Sequence, residues 1–366
     1  MTSSHFPSCL DRRRWLRHAA AAAALGAVPL SPRAQARPTV IRFGVAQPAV
    51  GTPPSFSNSS VAIAHAKGWI DEALARDGIK VEWLFFKGAG PAVNEALSNR
   101  QLDFAFQGDL PSIIGRAAGL KTRLVAATGV RANIYLAVPP DSPIQRVEDL
   151  RGKRVSIFKG TNSQLPISRV LEAHGLSERD VRAINLDTAT SIAALATRDL
   201  DAAFGGLDLL RLRDKNAARI VYTSKGQSPV FTRQSHVLVT EDFADHQPAL
   251  TQRVVDAVVR TAHWASEDAH RDEVLQLWAR AGTPYEHWKE DYAGEPLRLR
   301  LNPSFDPFLL GRYRDAVQQA LRFKLTRAVF DVDRWIDGRF VLGALKSQKL
   351  EGYWPVYQVD GKVALA

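Results

Sequence analysis

Polar and apolar residues alternate through "VIRFGVA" (Val40–Ala46), the period of two that predicts a strand. A helix-period stretch follows, "VAIAHAKGWIDEALARDG", with Ser60 placed as its N-cap and Gly78 near its end. Strand and helix signals keep alternating: a strand at Ile79–Phe86, a helix from Pro91 to Leu97, a strand at Leu102–Gln107 and a helix after Pro111. "TRLVAAT", "IYLAV", "RVSIF" and "VRAINL" read as further strands. Strands alternating with helices predict an α/β protein with largely parallel sheets covered on both faces. From Pro248 the pattern turns helical. "PALTQRVVDAVVRTAHWASED" sets Leu250, Val254, Ala257, Val258 and Ala262 on one face that must pack against something.

The chain repeats itself once. "EALSNRQLDFAFQG" (Glu95–Gly108) aligns without gaps on "AALATRDLDAAFGG" (Ala193–Gly206), with eight of fourteen positions identical at an offset of 98. The shared positions include Arg100/Arg198, Asp103/Asp201, Phe106/Phe204 and Gly108/Gly206. A period this long, occurring twice, is not a solenoid. It predicts two similar α/β lobes, each ending a strand in a glycine turn at equivalent places.

The first 36 residues stand outside this pattern. Arg12, Arg13, Arg14 and Arg17 precede a short apolar run from Ala19 to Leu30, and Ala34-Gln35-Ala36 makes a small-x-small cleavage site. That order predicts an export signal removed after Ala36, twin-arginine-like in its consecutive arginines, and hence a periplasmic protein. The apolar run is too short to span a bilayer. Without this segment 330 of the 366 residues remain, with 43 basic and 37 acidic side chains and a net charge of +6. The only cysteine, Cys9, goes with the segment, which excludes disulfides, zinc-thiolate sites and a thiol nucleophile from the rest. No basic stretch is interleaved with aromatics as on a nucleic-acid face.

Motifs that resemble catalytic or cofactor signatures fail on spacing. "GAG" at Gly88–Gly90 follows a strand, yet Val93 stands where a dinucleotide fingerprint needs its third glycine. It reads as the start of a helix with Pro91 in an early position. "GRAAGLKT" misses the phosphate-loop spacing, and Gly119 reads as a helix C-terminal cap. "DVDRWIDG" lacks the glycine register of a calcium loop. His263 and His270 have no third ligand beside them and read as surface histidines. No catalytic constellation, metal site or cofactor motif is expected.

What remains is polar turns at strand ends. "FKGTNSQLPISRVLEAHG" runs from a strand through Lys-Gly-Thr-Asn-Ser into a helix. Free N–H groups and the hydroxyls of Thr161 and Ser163 at that helix start suit an anionic oxygen cluster. Ordinary capping by Thr161, Asn162 or Ser163 explains the same residues equally well. "QGDLPS" repeats the geometry, with Asp109 placed as an N-cap that orients its loop.

At these residues the chain resembles the periplasmic substrate-binding proteins of ABC importers, in the branch for aliphatic sulfonates, taurine and nitrate. The carriers are "IRFGVAQ", "AHAKGWIDEALARDGIKVEW", "GAGPAVNEALSNRQLDFAFQGDLP", "AVPPDSPIQRVEDLRGKRVSIFKGTNSQ" and "LATRDLDAAF". The resemblance implies a two-lobed type II periplasmic-binding-protein fold, with residues 37–134 and 235–366 in one lobe and 135–234 in the other. It implies a small, anionic solute held in the cleft, delivery to an inner-membrane permease, and a monomer without enzymatic activity. Four turns would touch the solute: Gln47, Gly51 and Thr52; Gly108, Asp109 and Leu110; Gly160, Thr161, Asn162 and Ser163; and Gly206, Leu207 and Asp208. Many relatives carry an aromatic-proline segment where this chain has Gly205-Gly206-Leu207-Asp208. Two rival readings use the same scaffold. One is a binder of a neutral or aromatic metabolite such as a pyrimidine precursor. The other is an enzyme similar to the thiamine-pyrimidine synthases, whose cysteine-rich iron-binding motif is missing here.

Overall fold

A computed structural model describes residues 37–363; the expected export signal and its cleavage point lie outside them. The described residues form ten strands: β1 (Val40–Val45), β2 (Lys80–Phe85), β3 (Phe104–Gly108), β4 (Thr122–Ala132), β5 (Tyr135–Val138), β6 (Arg154–Ser156), β7 (Arg182–Ile184), β8 (Ala202–Gly205), β9 (Arg219–Thr223) and β10 (Arg233–Thr240). They form two five-stranded sheets flanked by helices, ordered β2-β1-β3-β10-β4 and β7-β6-β8-β5-β9. The architecture is α/β and two-lobed, one sheet to each lobe. Both sheets are mixed: four of the five strands in each run the same way, in keeping with the mostly parallel expectation, and one is reversed. β1, β2 and β3 run parallel, as do β6, β7 and β8, while β10 and β5 lie antiparallel to their neighbours. The physical reason is connectivity. Helical crossovers return the chain to run the same way, whereas β5 and β10 arrive directly from the other sheet and enter reversed.

The chain changes sheets twice, between Ala132 and Tyr135 and again between Thr223 and Arg233. The two passages are tied together. Ser224 Oγ accepts from the Ile134 N–H at 3.0 Å and donates to Asn133 Oδ1 at 3.2 Å. Asn133 Nδ2 and Tyr135 Oη then donate to one oxygen of Asp291, at 2.9 and 2.6 Å. The other Asp291 oxygen holds Arg300 at 2.6 Å, and both residues are buried. Burial works against the Asp291 charge, but Arg300 and the donated hydrogen bonds keep its carboxyl below the usual carboxylate range.

The repeat seen in the sequence is a repeat of structure. Asp103 accepts from the backbone N–H of Arg42 at 2.8 Å and pairs with its guanidinium at 2.9 Å, while Arg42 reaches the Arg100 carbonyl. Asp201 does the same for Arg154, at 2.7 and 3.0 Å, with Arg154 reaching the Arg198 carbonyl. Arg100 and Arg198 both adopt positive φ, 56° and 64°. Each aspartate thus staples the turn before one strand to the start of the neighbouring strand. Gly108 and Gly206, which close the repeat, share one extended conformation (φ −86°, ψ 174° and φ −90°, ψ −163°).

Several local boundaries differ from the pattern reading. Ser59, not Ser60, caps the first helix, its Oγ accepting from the Ala62 N–H; Ser60 is the first helical residue and bonds the Thr128 carbonyl. That helical region is two helices, Ser60–Ala66 and Trp69–Ala75, broken at Gly68 with φ 68°. Helix Ala89–Ser98 begins at the Gly-Ala-Gly turn. Gly90 is required there because a Cβ would lie 2.3 Å from Pro111 Cβ, on the helix that follows β3. Helix Pro248–Ser266 buries Leu250, Val254, Ala257, Val258 and Ala262 as its pattern demands, against helices 60–66, 69–75 and 339–347. Each large aliphatic side chain so buried contributes on the order of 1.5–3 kcal/mol.

Candidate ligand-binding site

The turn after β3 and the start of helix 89–98 lie against the turn after β6. The contact is direct. A Cβ built on Gly108 would lie 2.2 Å from Asn162 Cβ, and one on Gly160 would lie 3.2 Å from Pro91 Cγ. The glycine turn after β3 and the Gly-Thr-Asn-Ser turn after β6 are therefore apposed, with glycine allowing the approach.

Arg233 sits beside this contact, at the first residue of β10. Protein surrounds it in depth, yet it retains partial solvent exposure. Its guanidinium makes one hydrogen bond among the described residues, from Nη2 to the Asn133 carbonyl at 2.9 Å. Nε is buried with no partner. A Cβ on Gly206 would lie 3.2 Å from Nη2, so the glycine turn after β8 lies against the guanidinium. Burial pulls its pKa down, while the carboxylates of Asp291, Asp208 and Asp109 pull it back up from beyond ion-pair distance.

Asp109 is buried and pushed up to about 6 by that burial. The expectation of an N-cap is corrected. Gly108 occupies the cap position, and Asp109 is the first helical residue, its Oδ1 accepting from the Leu110 N–H at 2.9 Å. Behind it, Ser112 Oγ donates to the Gly108 carbonyl at 2.8 Å. With its proton so used, Ser112 accepts from His236 Nε2 at 2.8 Å, which leaves His236 Nδ1 to accept from the Tyr313 hydroxyl. Burial depresses His236 to about 3, so the ring is neutral. This chain fixes the Gly108 carbonyl from the interior.

The turn after β6 is organised differently from its sequence reading. Thr161 Oγ1 donates to the Phe158 carbonyl at 2.7 Å and accepts from the Ser163 N–H. Gln164 Oε1 takes the Gly160 N–H at 2.7 Å. The backbone N–H groups of Thr161 and Asn162 have no protein acceptor among the described residues. Ser163 occupies the N-cap position of helix Gln164–Ala173 without a side-chain capping bond. The turn thus presents N–H donors, while the Thr161 hydroxyl is held within it.

The other expected contacts are dispersed. Gln47 closes its own loop, its amide bonding both the carbonyl and the N–H of Ser57. Gly51 and Thr52 are exposed at that loop's tip, where a Val50 methyl approaches the Gly282 position at 3.9 Å. Leu110 and Leu207 are buried among core side chains. Asp208 accepts from Thr283 Oγ1 at 2.5 Å. Gly206 lies against Arg233, and Asp109 and Asp208 act on it electrostatically, while Gly108 pairs with Ser235 two residues along and meets Asn162; Arg233 is a residue the pattern reading overlooked. Its only signal is one arginine two residues before the run "SHVLVT" (235–240). His263 and His270 do not converge: His263 packs on Tyr353 and His270 stacks on Trp264. No cluster of metal-ligating side chains occurs among the described residues, and no described helix is long and apolar enough to cross a membrane.

Comparison with known proteins gives this geometry a family. The sequence profile described as NMT1/THI5 like matches residues 56–271, more than half of the chain. The chain belongs to the NMT1/THI5-like family. A Bacillus subtilis protein named an aliphatic sulfonates-binding protein is 31% identical over 242 residues, covering 65% of this chain and 68% of that one. An Escherichia coli protein of the same description is 31% identical over 156 residues, and that alignment spans 40% of this chain and about half of the relative, 49%. Among solved structures, a periplasmic sulfonate-binding protein, SsuA, from Methylobacillus flagellatus superposes with TM-score 0.77 at 30% identity, covering 88% of this chain and 98% of that one. The desulfurization enzyme DSZB shares the fold alone, with TM-score 0.65 at 20% identity over 85% of this chain and all of that one. The fold therefore does not by itself separate binder from enzyme.

Proposed function

We propose that this NMT1/THI5-like protein is the periplasmic solute-binding component of an ABC importer. It holds a small oxyanionic solute, an aliphatic sulfonate or a taurine-like molecule, in the cleft between its lobes and delivers it to an inner-membrane permease. In this reading residues 37–134 and 235–366 form one lobe, 135–234 form the other, and the signal is removed after Ala36. The protein acts as a monomer without catalysis.

One observation carries the proposal: Arg233 lies beside the apposed turns with its Nε unpartnered and no carboxylate in contact with its guanidinium. A partly enclosed guanidinium with a buried, unpartnered Nε has donors to spare, and a bidentate oxyanion satisfies them. The Thr161 and Asn162 N–H groups, at the start of helix 164–173, supply donors for the remaining oxygens. The Gly206–Asp208 turn shapes the space for the tail, with Gly206 against Arg233. The sulfonate-binding names of the B. subtilis and M. flagellatus relatives support the same solute class.

Titration calorimetry with alkanesulfonates, taurine, nitrate and sulfate tests it, on the parent protein and on Arg233→Gln. The expected result is binding of at least one sulfonate, weakened at least tenfold by the substitution, since a charge-assisted contact is worth about 1.5–3 kcal/mol. Silence across the panel would retire the oxyanion, and equal binding by Arg233→Gln would retire Arg233 as its anchor.

A further inference from the structure

One helix, Pro307–Arg322, packs both on helix Asp109–Ala117 of the first lobe and on helix Gln164–Ala173 of the second. Toward the first sheet it buries Phe308, Leu309, Tyr313, Ala316, Val317 and Ala320. Its Tyr313 hydroxyl enters the His236–Ser112 chain that ends on the Gly108 carbonyl. Asp306 caps its first turn, accepting from the Leu309 N–H at 2.9 Å. The helix is thus fixed to the wall that carries Gly108.

Its other side reaches the second sheet. Arg169, on helix Gln164–Ala173, is 5% exposed. It donates to Asp315 Oδ2 at 2.9 Å, to Gln319 Oε1 at 2.6 Å and to the Val230 carbonyl at 3.1 Å. Three residues along, Glu172 takes a bidentate pair from Arg322. Asp315, Gln319 and Arg322 recur at the spacing of one helix face, and Arg169 and Glu172 match them from the facing helix. Helix 164–173 begins at the turn that holds Asn162. A rotation that lifts Asn162 off Gly108 carries this helix with it and strains the Arg169 and Glu172 contacts together.

We infer that helix 307–322 is a closure brace, holding the Gly108 and Asn162 walls together through contacts made wholly by protein, so that the closed arrangement is the main state of the solute-free molecule. Arg169 is the principal tie. Its guanidinium is buried, and opening would part it from Asp315 and Gln319 while only the Val230 carbonyl of its own lobe stays with it, a larger loss than parting two exposed charges. Arg322 and Glu172 are about half exposed and add little. A solute then stabilises a state already populated rather than creating it.

The inference concerns closure over the proposed site, but its test needs no solute, so its failure is separate from that of the binding reading. Asn99 and Thr197 are exposed equivalents at the offset of 98, one at the end of a helix on each sheet. Spin labels at Asn99→Cys and Thr197→Cys, in a full-length Cys9→Ser background, report the opening by pulsed dipolar spectroscopy. Without added solute, the parent is expected to show one dominant short distance. Arg169→Met is expected to shift most of the amplitude to a longer one. If Arg169→Met does not fold, Asp315→Asn with Arg322→Gln carries the test from the brace side. A longer distance already dominant in the parent, or a distribution unchanged in the folded variants, would overturn the brace.

Discussion

Gly108→Ala isolates closure from folding. The backbone there (φ −86°, ψ 174°) is ordinary for alanine, so the substitution puts no strain on its own turn. The three nearest atoms to the new methyl all belong to Asn162, at 2.2, 2.7 and 2.8 Å. Ordinary contact begins near 3.4 Å, so Asn162 Cβ must retreat by about 1.2 Å. A Cβ cannot be removed by rotating its own side chain, so the turn or the whole wall has to move. Overpacking of this kind costs about 1–3 kcal/mol. If solute binds to the closed arrangement, affinity for the best alkanesulfonate should fall roughly 5- to 150-fold. Calorimetry supplies the affinity, and the Asn162→Gly partner completes a double-mutant cycle. Gly108→Ala should cost much less in the Asn162→Gly background, where the opposing Cβ is gone. Parent-like affinity in Gly108→Ala, or an equal loss in both backgrounds, would refute the apposition of the two turns.

Asp109→Asn should raise stability at neutral pH. Its folded carboxyl titrates near 6, against 3.8 for an ordinary aspartate, so the folded state holds a proton that the unfolded state has released. Stability therefore falls as pH rises from about 4 to 6, by up to about 3 kcal/mol. Calorimetric melting should show the variant above the parent at pH 7 and level with it near pH 4; a constant gap would discount the burial of that charge. Asp291→Asn leaves Arg300 buried opposite a neutral group and should cost about 3 kcal/mol in urea unfolding at pH 7. Because the Asp291 carboxyl is depressed when folded, this contribution is present at neutral pH and is lost from the parent on acidification below about pH 4. Asp103→Asn and Asp201→Asn remove equivalent staples and should each cost about 1 kcal/mol, the arginines being partly exposed. A loss at one site and none at the other would show that the repeat is geometric without being energetic.

The legible parts of this fold are local ones. Alternation placed strands at Val40–Ala46, Ile79–Phe86 and Leu102–Gln107 within two residues of their observed bounds. The Glu95–Gly108 echo anticipated two matching sheets, since repeated local pattern builds repeated local structure. The partners of Asp103 and Asp201 were not legible. Arg42 lies 61 residues before one and Arg154 47 before the other, outside the repeated segment. The one reversed strand in each sheet was not legible, because the crossings are two to nine residues of ordinary composition and nothing local announces that a strand joins another sheet.

By itself the sequence determined which segments are strands and helices, which turns carry glycine, and that no cysteine lies beyond Cys9, because these depend on neighbours along the chain. Tertiary structure alone decided that Gly108 faces Asn162, that Arg233 stands without a carboxylate in contact, and that helix 307–322 holds Arg169. Those facts join residues 54 to 150 positions apart, and such distances are set by how the sheets pack, not by any residue's own preference.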